Sequence, residues 1–112
     1  MEWKNINSIN DLDELVKLSE TLPVLIFKHS TRCSVSRFAL KDLENKWTGS
    51  DSEKIICFFL DLLAHREISN EIEARFDVRH QSPQILIIKN GKCIFSESHS
   101  DISRDIILDQ LK

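Results

Sequence analysis

The sequence is poor in the features that mark several specialised classes of protein. Cysteine occurs only three times in 112 residues, without the regular spacing of a disulfide framework, which is typical of a cytosolic chain with reduced thiols. No apolar run approaches the roughly 20 residues that a membrane-spanning helix needs. The net charge of −3 is spread over interspersed acids and bases, which leaves no basic stripe for nucleic acid. We therefore expect a cytoplasmic protein that binds neither membranes nor nucleic acid.

Glycine and proline are equally scarce, with two of each. All four fall at boundaries between apolar segments, so the segments themselves are uninterrupted. A composition of 41% hydrophobic and 29% charged residues is ordinary for a globular chain with one core. We expect a single domain spanning residues 1–112, without internal repeats.

The apolar patterns along the chain predict an alternation of strands and helices. Short apolar runs rich in branched side chains predict strands, and apolar residues at helical spacing predict helices. The expected strands are 3–6, 23–27, 54–60, 84–89 and 92–98. The expected helices are one capped by Asn10 or Asp11, one at 34–47 that ends before Gly49, and two more at 65–76 and 101–111.

The order of these elements predicts the fold. A strand, a helix and a second buried strand in succession form a right-handed parallel crossover. The Asn90-Gly91 pair between the last two strands is typical of a tight antiparallel hairpin, because both residues tolerate positive φ. Parallel crossovers followed by an antiparallel hairpin predict an α/β protein of the thioredoxin-like fold, with a mixed central sheet flanked by helices on both faces.

Cys33 lies between an apolar strand and the start of an amphipathic helix. A free thiol with a pKa near 8.5 is only about 3% thiolate at pH 7, but the positive end of a helix stabilises the anion. The alternative is a small buried apolar residue, which is the usual role of a free cysteine. Polar neighbours on every side, Thr31, Arg32, Ser34 and Ser36, favour a reactive nucleophile.

Ser36 stands three residues after Cys33, where a dithiol oxidoreductase carries its second cysteine. The site can therefore attack a disulfide, but it cannot resolve the product internally. We expect the Ser36 hydroxyl, together with backbone N–H groups of the first helical turn, to stabilise the thiolate. Arg32 and Arg37 bracket the site with positive charge.

Ser82-Pro83 directly precedes a predicted strand and forms the second part of the candidate site. A proline belongs at the first residue of a strand, where no ladder hydrogen bond is lost. If the bond were cis, the backbone of Ser82 would turn outward and could pair with an extended thiol-bearing chain. An ordinary turn proline is the alternative, and the frequency of cis bonds, about 5–6% of X-Pro bonds, favours it.

Three segments together carry a family resemblance: Phe-Lys-His-Ser-Thr-Arg-Cys-Ser-Val-Ser at 27–36, His-Gln-Ser-Pro-Gln at 80–84 and Lys-Asn-Gly-Lys at 89–92. In these segments the chain resembles the monothiol bacilliredoxins, a family within the thioredoxin and glutaredoxin-like superfamily. The similarity runs over nearly the whole length. Two positions depart from the usual pattern, with Arg32 before the cysteine and Ser34 where proline is frequent.

The resemblance implies a monothiol disulfide oxidoreductase that removes bacillithiol from protein mixed disulfides. Cys33 would be the attacking residue and Ser36 its catalytic neighbour. Bacillithiol, a thiol built from cysteine, glucosamine and malate, would be the co-substrate, with no bound cofactor, and S-bacillithiolated proteins would be the partners. The residues expected to bind substrate are Arg32, Ser34, Arg37, Ser82 and Pro83. The arginines could hold the malate carboxylates, although solvated charge at a helix start explains them equally well.

The remaining cysteines and histidines have ordinary expected roles. Cys57 lies within an apolar strand and is expected to be buried, and Cys93 is expected to be half-exposed on an edge strand. His29 is expected to be an unspecific surface histidine. The histidines and cysteines lack the paired spacing of a zinc site, so we expect no metal. Phe38 and Trp47 lie on the apolar stripe of their helix and are expected in the core.

Two other function classes remain open from the sequence. An iron–sulfur cluster carrier of monothiol glutaredoxin type would ligate a cluster through Cys33, but such proteins usually have glycine and phenylalanine where this chain has Ser34 and Val35. A redox-inert adaptor would instead use the groove beside Pro83 to bind extended peptides by backbone pairing.

Overall fold

The computed structural model describes all 112 residues and contains one five-stranded sheet. The strands are β1 (Trp3–Asn5), β2 (Val24–His29), β3 (Ile56–Asp61), β4 (Gln84–Lys89) and β5 (Lys92–Ser98). The helices are α1 (Ile9–Leu18), α2 (Ser34–Lys46), α3 (Gly49–Ser52), α4 (Arg66–Phe76) and α5 (Arg104–Asp109), with a 3₁₀ helix at His99–Asp101. None of the helices combines the length and apolar character needed to cross a bilayer.

The sheet is mixed, with the strand order β1-β3-β2-β4-β5. The first three strands in this order are parallel, whereas β4 runs antiparallel to both β2 and β5. Asn90 and Gly91 both have positive φ, 52° and 77°, in the turn between β4 and β5. The predicted parallel crossovers and the predicted hairpin are confirmed.

The central strand β2 is buried along its whole length. Because strand side chains alternate between faces, Val24 and Ile26 join a core cluster with α1 and α4, whereas Leu25 and Phe27 join a second cluster with α2 and α5. The sheet thus has an apolar layer on each side. These two layers hold the end of β2 rigidly where the loop to α2 begins.

Several element boundaries differ from the predicted ones. Ser8 caps α1, with its Oγ accepting from the Asp11 amide at 3.1 Å, so the prediction of a cap at Asn10 or Asp11 was wrong. Gly49 does not end α2 but begins α3, behind a capping box formed by Thr48 and Asp51. The predicted last helix, 101–111, is shorter in the structure: Asp101 belongs to the 3₁₀ helix, Ser103 is the N-cap of α5, and α5 ends at Asp109.

The apolar stripe of α2 is only partly buried. Ala39 and Leu43 are in the core and Trp47 is 9% exposed, which confirms its predicted place. Phe38 is 73% exposed and Val35 is 45% exposed, so the prediction that Phe38 belongs to the core was wrong. Helical spacing groups these side chains on one side of α2, but Val35 and Phe38, on its first turns, remain open to solvent.

Asp51 is the buried anchor between α3 and α5. Its two carboxylate oxygens accept from Nε and Nη2 of Arg104, each at 2.9 Å, and Oδ2 also accepts from the Thr48 amide. The hydrogen bond from Arg104 holds the pKa of Asp51 well below its usual range. A carboxylate that is 1% exposed and accepts three hydrogen bonds is a strong constraint on how α5 packs.

Replacing Asp51 by asparagine is expected to lower the free energy of unfolding by roughly 2 kcal/mol, because two charge-assisted hydrogen bonds are weakened in a buried site. Asp105→Asn is the matched control, since Asp105 also contacts Arg104, at 3.2 Å, but its side chain is 85% exposed. Urea unfolding of both variants measures the difference. Equal losses in the two variants would contradict a special role for Asp51.

Candidate active site

Cys33 is the N-cap residue of α2. Its backbone is extended, with φ −101° and ψ 120°, and its carbonyl accepts from the Arg37 amide at 3.0 Å to begin the helix. The preceding loop is tight, because the Cys33 amide donates to the Ser30 carbonyl at 3.2 Å. The side chain is half-buried and stands at the positive end of a helix of 13 residues.

The other two cysteines have environments that suppress ionisation. Cys57 is 4% exposed on β3, as predicted, and burial raises the pKa of its thiol to about 12. Cys93 is half-buried on β5, its Sγ donates to the Phe95 carbonyl at 3.3 Å, and burial raises its pKa as well. All three cysteines are free thiols. Cys33 is the cysteine that stands at the start of a helix.

The Ser36 side chain is fully buried beneath the start of α2. Its Oγ accepts from the Ser30 amide at 3.1 Å and lies 2.7 Å from Nδ1 of His29. The sequence predicted that this hydroxyl would bond to the sulfur of Cys33, but its hydrogen bonds in the structure go to His29 and Ser30. Ser36 therefore links the end of β2 to the first turn of α2.

His29 is 5% exposed, so its assignment as a surface histidine was wrong. It is the last residue of β2 and packs against the rings of Phe27 and Phe59, with ring centroids 6.1 and 5.3 Å away. Burial lowers the pKa of His29, and the charge of Arg37 lowers it further, while Asp61 and Glu44 act in the opposite direction. The neutral imidazole is the favoured form at this position.

The two arginines of the candidate site are exposed, and so is Ser34. Arg37 donates from Nη1 to the Thr31 carbonyl at 2.9 Å, which ties the first turn of α2 to the loop before Cys33. Arg32 has no hydrogen-bond or ion-pair partner in the structure. In the sequence, Arg32 directly precedes Cys33 and Arg37 follows it by four residues.

The Ser82-Pro83 peptide bond is cis. Antiparallel pairing of β2 with β4 joins Phe27 to Ile85 and Lys28 to Gln84, and continuing this register places Pro83 beside His29. The segment before β4 therefore lies alongside the loop that carries Cys33. The Pro83 carbonyl accepts from the His99 amide at 2.9 Å, which fastens the 3₁₀ helix to the same region.

A groove of about 440 Å³ begins next to Cys33, between the first turns of α2 and the 3₁₀ helix. Phe38 and Val35 line one side, and His99 and Ile102 line the other. Its volume lies within the range of small-molecule sites in proteins. The exposed Phe38 is thus a wall of this groove.

A comparison with known families shows the family to which the chain belongs. The family model described as monothiol bacilliredoxin BrxC matches residues 4–107. The chain belongs to the monothiol bacilliredoxin family. A bacilliredoxin with its cysteine at the start of α2 and Ser36 three residues later has a thiol redox function, which agrees with the sequence-based expectation.

Solved structures similar to this bacilliredoxin share its fold. One protein, assigned as an oxidoreductase with a thioredoxin fold, superposes with a TM-score of 0.84 at 23% identity, covering 98% of this chain and 94% of that one. Thioredoxin from Malassezia sympodialis has a TM-score of 0.78 at 18% identity over 98% of this chain and 90% of its own. Thioredoxin from Fasciola hepatica has a TM-score of 0.78 at 14% identity, over 97% and 99%. The predicted thioredoxin-like fold is confirmed.

A buried lysine beside the site was missed by the sequence analysis. Lys28 is 0% exposed, on the face of β2 opposite to His29, and its Nζ donates to Oε1 of Gln84 at 3.1 Å. Gln84 Oε1 also accepts from the Gln81 amide at 3.4 Å, while Gln84 Nε2 donates to the Arg79 carbonyl at 3.0 Å. The only signal in the sequence was a charged residue that continues an apolar strand.

The Lys28 network positions the segment before Pro83. Gln84 bonds the backbone on both sides of His80, and the His80 amide donates to the Glu73 carboxylate of α4. Burial lowers the pKa of Lys28 to about 8, whereas the charge of Glu73 raises it. The bacilliredoxin therefore buries an amine, which is energetically unfavourable, and bonds it to Gln84, the residue that follows Pro83.

Replacing Lys28 by methionine is expected to stabilise the protein at pH 7 by roughly 1–2 kcal/mol, because it removes a buried amine whose charged form is disfavoured. The pKa of Lys28 is about 8 in the folded protein and about 10.4 in the unfolded chain. Between these values the unfolded chain holds a proton that the folded protein has lost, so wild-type stability rises with pH. The advantage of Lys28→Met should therefore shrink from pH 8 to pH 10, as measured by urea unfolding.

Lys89→Met is the control for this comparison, since Lys89 lies at the end of β4 and is exposed. Its effect on the free energy of unfolding should be small and should not change over the same pH range. An advantage of Lys28→Met that stayed constant from pH 7 to pH 10 would contradict the lowered pKa of the buried Lys28 amine.

Proposed function

We propose that this family member is a monothiol disulfide oxidoreductase that removes bacillithiol from protein mixed disulfides. The observation that carries the proposal is the pairing of a half-buried thiol at the start of α2 with a serine at the third helical residue. Such a site can form a mixed disulfide but has no second thiol to close an internal one. The family membership supports the same chemistry.

The proposed reaction is one exchange followed by an external resolution. The Cys33 thiolate attacks the bacillithiol sulfur of the client mixed disulfide, a new S–S bond joins Cys33 to bacillithiol, and the client leaves as a thiolate that takes up a proton. A second bacillithiol thiolate then attacks the adduct. This step forms bacillithiol disulfide and returns Cys33 as a thiolate. The client thiol has been reduced at the expense of one free bacillithiol, which ends in the disulfide together with the bacillithiol removed from the client.

The positions of the other thiols support external resolution. Cys57 is buried within β3, and its raised pKa, about 12, makes it a poor nucleophile. Cys93 lies on the edge strand β5, where its sulfur bonds to the Phe95 carbonyl. Neither is placed on the loop or helix that carries Cys33. Bacillithiol itself, or another oxidoreductase, is the proposed resolving agent.

The binding surface that we propose combines charge and extended backbone. Arg32 and Arg37 are exposed next to Cys33 and would receive the malate carboxylates of bacillithiol. Ser34 begins the groove along α2, and the segment at Ser82 and Pro83 would pair with the client chain. The proposed roles are supported by the position of Arg32, Ser34 and Arg37 beside Cys33 in the chain and by the strand register that brings Pro83 alongside His29.

The first test uses a cysteine peptide that carries bacillithiol as a mixed disulfide. Wild-type protein should release the free peptide and gain the mass of one bacillithiol, whereas Cys33→Ser should show neither product because the nucleophile is gone. Intact-mass spectrometry and chromatography of the peptide measure both. Cys93→Ser is the matched control and should behave as wild type.

Other outcomes would redirect the proposal. An adduct that persisted in Cys33→Ser would show that another cysteine reacts. Visible absorbance after cluster reconstitution, without peptide release, would indicate an iron–sulfur carrier. Absence of both signals from a folded protein would leave a redox-inert adaptor.

A second test concerns the carboxylates. Arg32→Ala should slow release of bacillithiol about two- to fivefold, the effect expected from one exposed ion pair, because the positive charge next to Cys33 is lost. Release of 2-mercaptoethanol, which has no carboxylate, should be unchanged. Lys41→Ala, an exposed lysine further along α2, is the control. An equal effect of Arg32→Ala on both thiols would contradict carboxylate recognition.

A further inference from the structure

The buried amine of Lys28 is unfavourable for stability, and its only hydrogen bond goes to one side chain. Lys28 is 0% exposed on a strand that is buried from Val24 to His29. A methionine of similar length would fill the same space without the removal of an amine from water. The Nζ atom donates to Oε1 of Gln84 at 3.1 Å. A residue that breaks the local rules of burial in this way points to a functional task for its one contact.

Gln84 transmits this contact to the backbone before the proline. Its Oε1 accepts from Lys28 Nζ at 3.1 Å and from the Gln81 amide at 3.4 Å, and its Nε2 donates to the Arg79 carbonyl at 3.0 Å. The bond from Lys28 is the shorter of the two to Oε1. Gln84 is 3% exposed, so water does not readily replace a lost partner. Lys28 therefore keeps the Gln84 amide in the orientation that bonds to both backbone groups.

The same backbone segment is also held from α4, but at a different residue. The His80 amide donates to the Glu73 carboxylate, and Nδ1 of His80 lies 3.3 Å from the Ser69 hydroxyl. The hydrogen bond of the Gln81 amide goes to Gln84. Gln81 directly precedes the Ser-Pro pair, so the contact that depends on β2 is the one nearest to that pair.

We propose that Lys28 is a positioning residue, which through Gln84 fixes the backbone leading into the Ser82-Pro83 segment that would pair with the client chain. The inference rests on the proposed function, in which that segment binds the client. It goes further by assigning a part in the reaction to a fully buried side chain on the central strand. It also gives a reason for a lysine at a position where an apolar residue would be more stable.

Lys28→Met should have opposite effects on stability and on activity. Because it removes a buried amine, its urea midpoint should be at or above that of the wild type. Because it leaves Gln84 Oε1 with only the long bond from Gln81, the backbone before Pro83 should open more often. Release of a cysteine peptide that carries bacillithiol should slow about two- to tenfold, which corresponds to the loss of one hydrogen bond.

A substrate without a peptide chain separates positioning from other effects. The mixed disulfide of bacillithiol with 2-mercaptoethanol has no backbone to pair, so Lys28→Met should reduce it at the wild-type rate. Lys28→Gln keeps an N–H donor but has no charge, and it should retain most of the peptide rate. Lys89→Met, at the exposed end of β4, is the matched control and should leave both rates unchanged.

Amide hydrogen exchange measured by NMR tests the positioning without any substrate. In Lys28→Met the Gln81 amide should exchange about two- to tenfold faster than in the wild type, because its acceptor is less firmly held. The Asn90 amide, which bonds to the Ser19 carbonyl at 2.8 Å beyond the other end of β4, should exchange at its wild-type rate.

Three outcomes in folded variants would overturn the proposal: wild-type peptide release by Lys28→Met, equal slowing of both substrates in Lys28→Met, or the same slowing of the peptide in Lys28→Gln. A measurement on the wild type covers the case in which the variants do not fold. The Nζ protons of Lys28 should exchange with water more slowly than those of Lys89, since they are buried and bonded. Equally fast exchange would overturn the proposal.

These measurements separate the two proposals. Amide exchange needs no bacillithiol, so a Lys28→Met protein with a loosened Gln81 amide, alongside a wild type that releases no peptide, contradicts only the proposed function. A wild type that releases the peptide, alongside a Lys28→Met protein that releases it equally fast, contradicts only the positioning role.

Discussion

The antiparallel pairing of β2 with β4 is the constraint on which the site depends. It fixes the end of β2, from which the Cys33 loop departs, next to the beginning of β4, which follows Pro83. These two segments are more than 45 residues apart in the chain. Because both strands are buried in the centre of the sheet, neither can shift without exposing a row of apolar side chains to water.

The alternation of β2 places one polar side chain on each side of the sheet just before the reactive loop. His29 faces α2 and bonds to Ser36, whereas Lys28 faces α4 and bonds to Gln84. The first contact supports the turn that holds Cys33, and the second supports the segment that ends at Pro83. Adjacent residues of one strand therefore position the two halves of the site through separate hydrogen-bond networks.

The errors of the sequence analysis have a common cause. Phe38 was predicted in the core because helical spacing identifies an apolar face, but spacing carries no information about whether another element covers that face. His29 was predicted at the surface because histidine is polar, yet its ring fills a gap beside Phe59 and its nitrogen finds a partner in Ser36. In each case the missing knowledge was what lies opposite the side chain.

Local pattern determined the elements, their order and the position of the reactive residue. The apolar run of β2, the amphipathic α2 and the Asn90-Gly91 turn are properties of short segments, and Cys33 lies at a junction between two of them. Tertiary structure alone decided that His29 and Lys28 are buried, that Ser36 bonds to a histidine and that Pro83 lies beside them. Burial and hydrogen bonding depend on which distant strand or helix packs against a residue, and that information is set by strand register and helix packing over the whole chain.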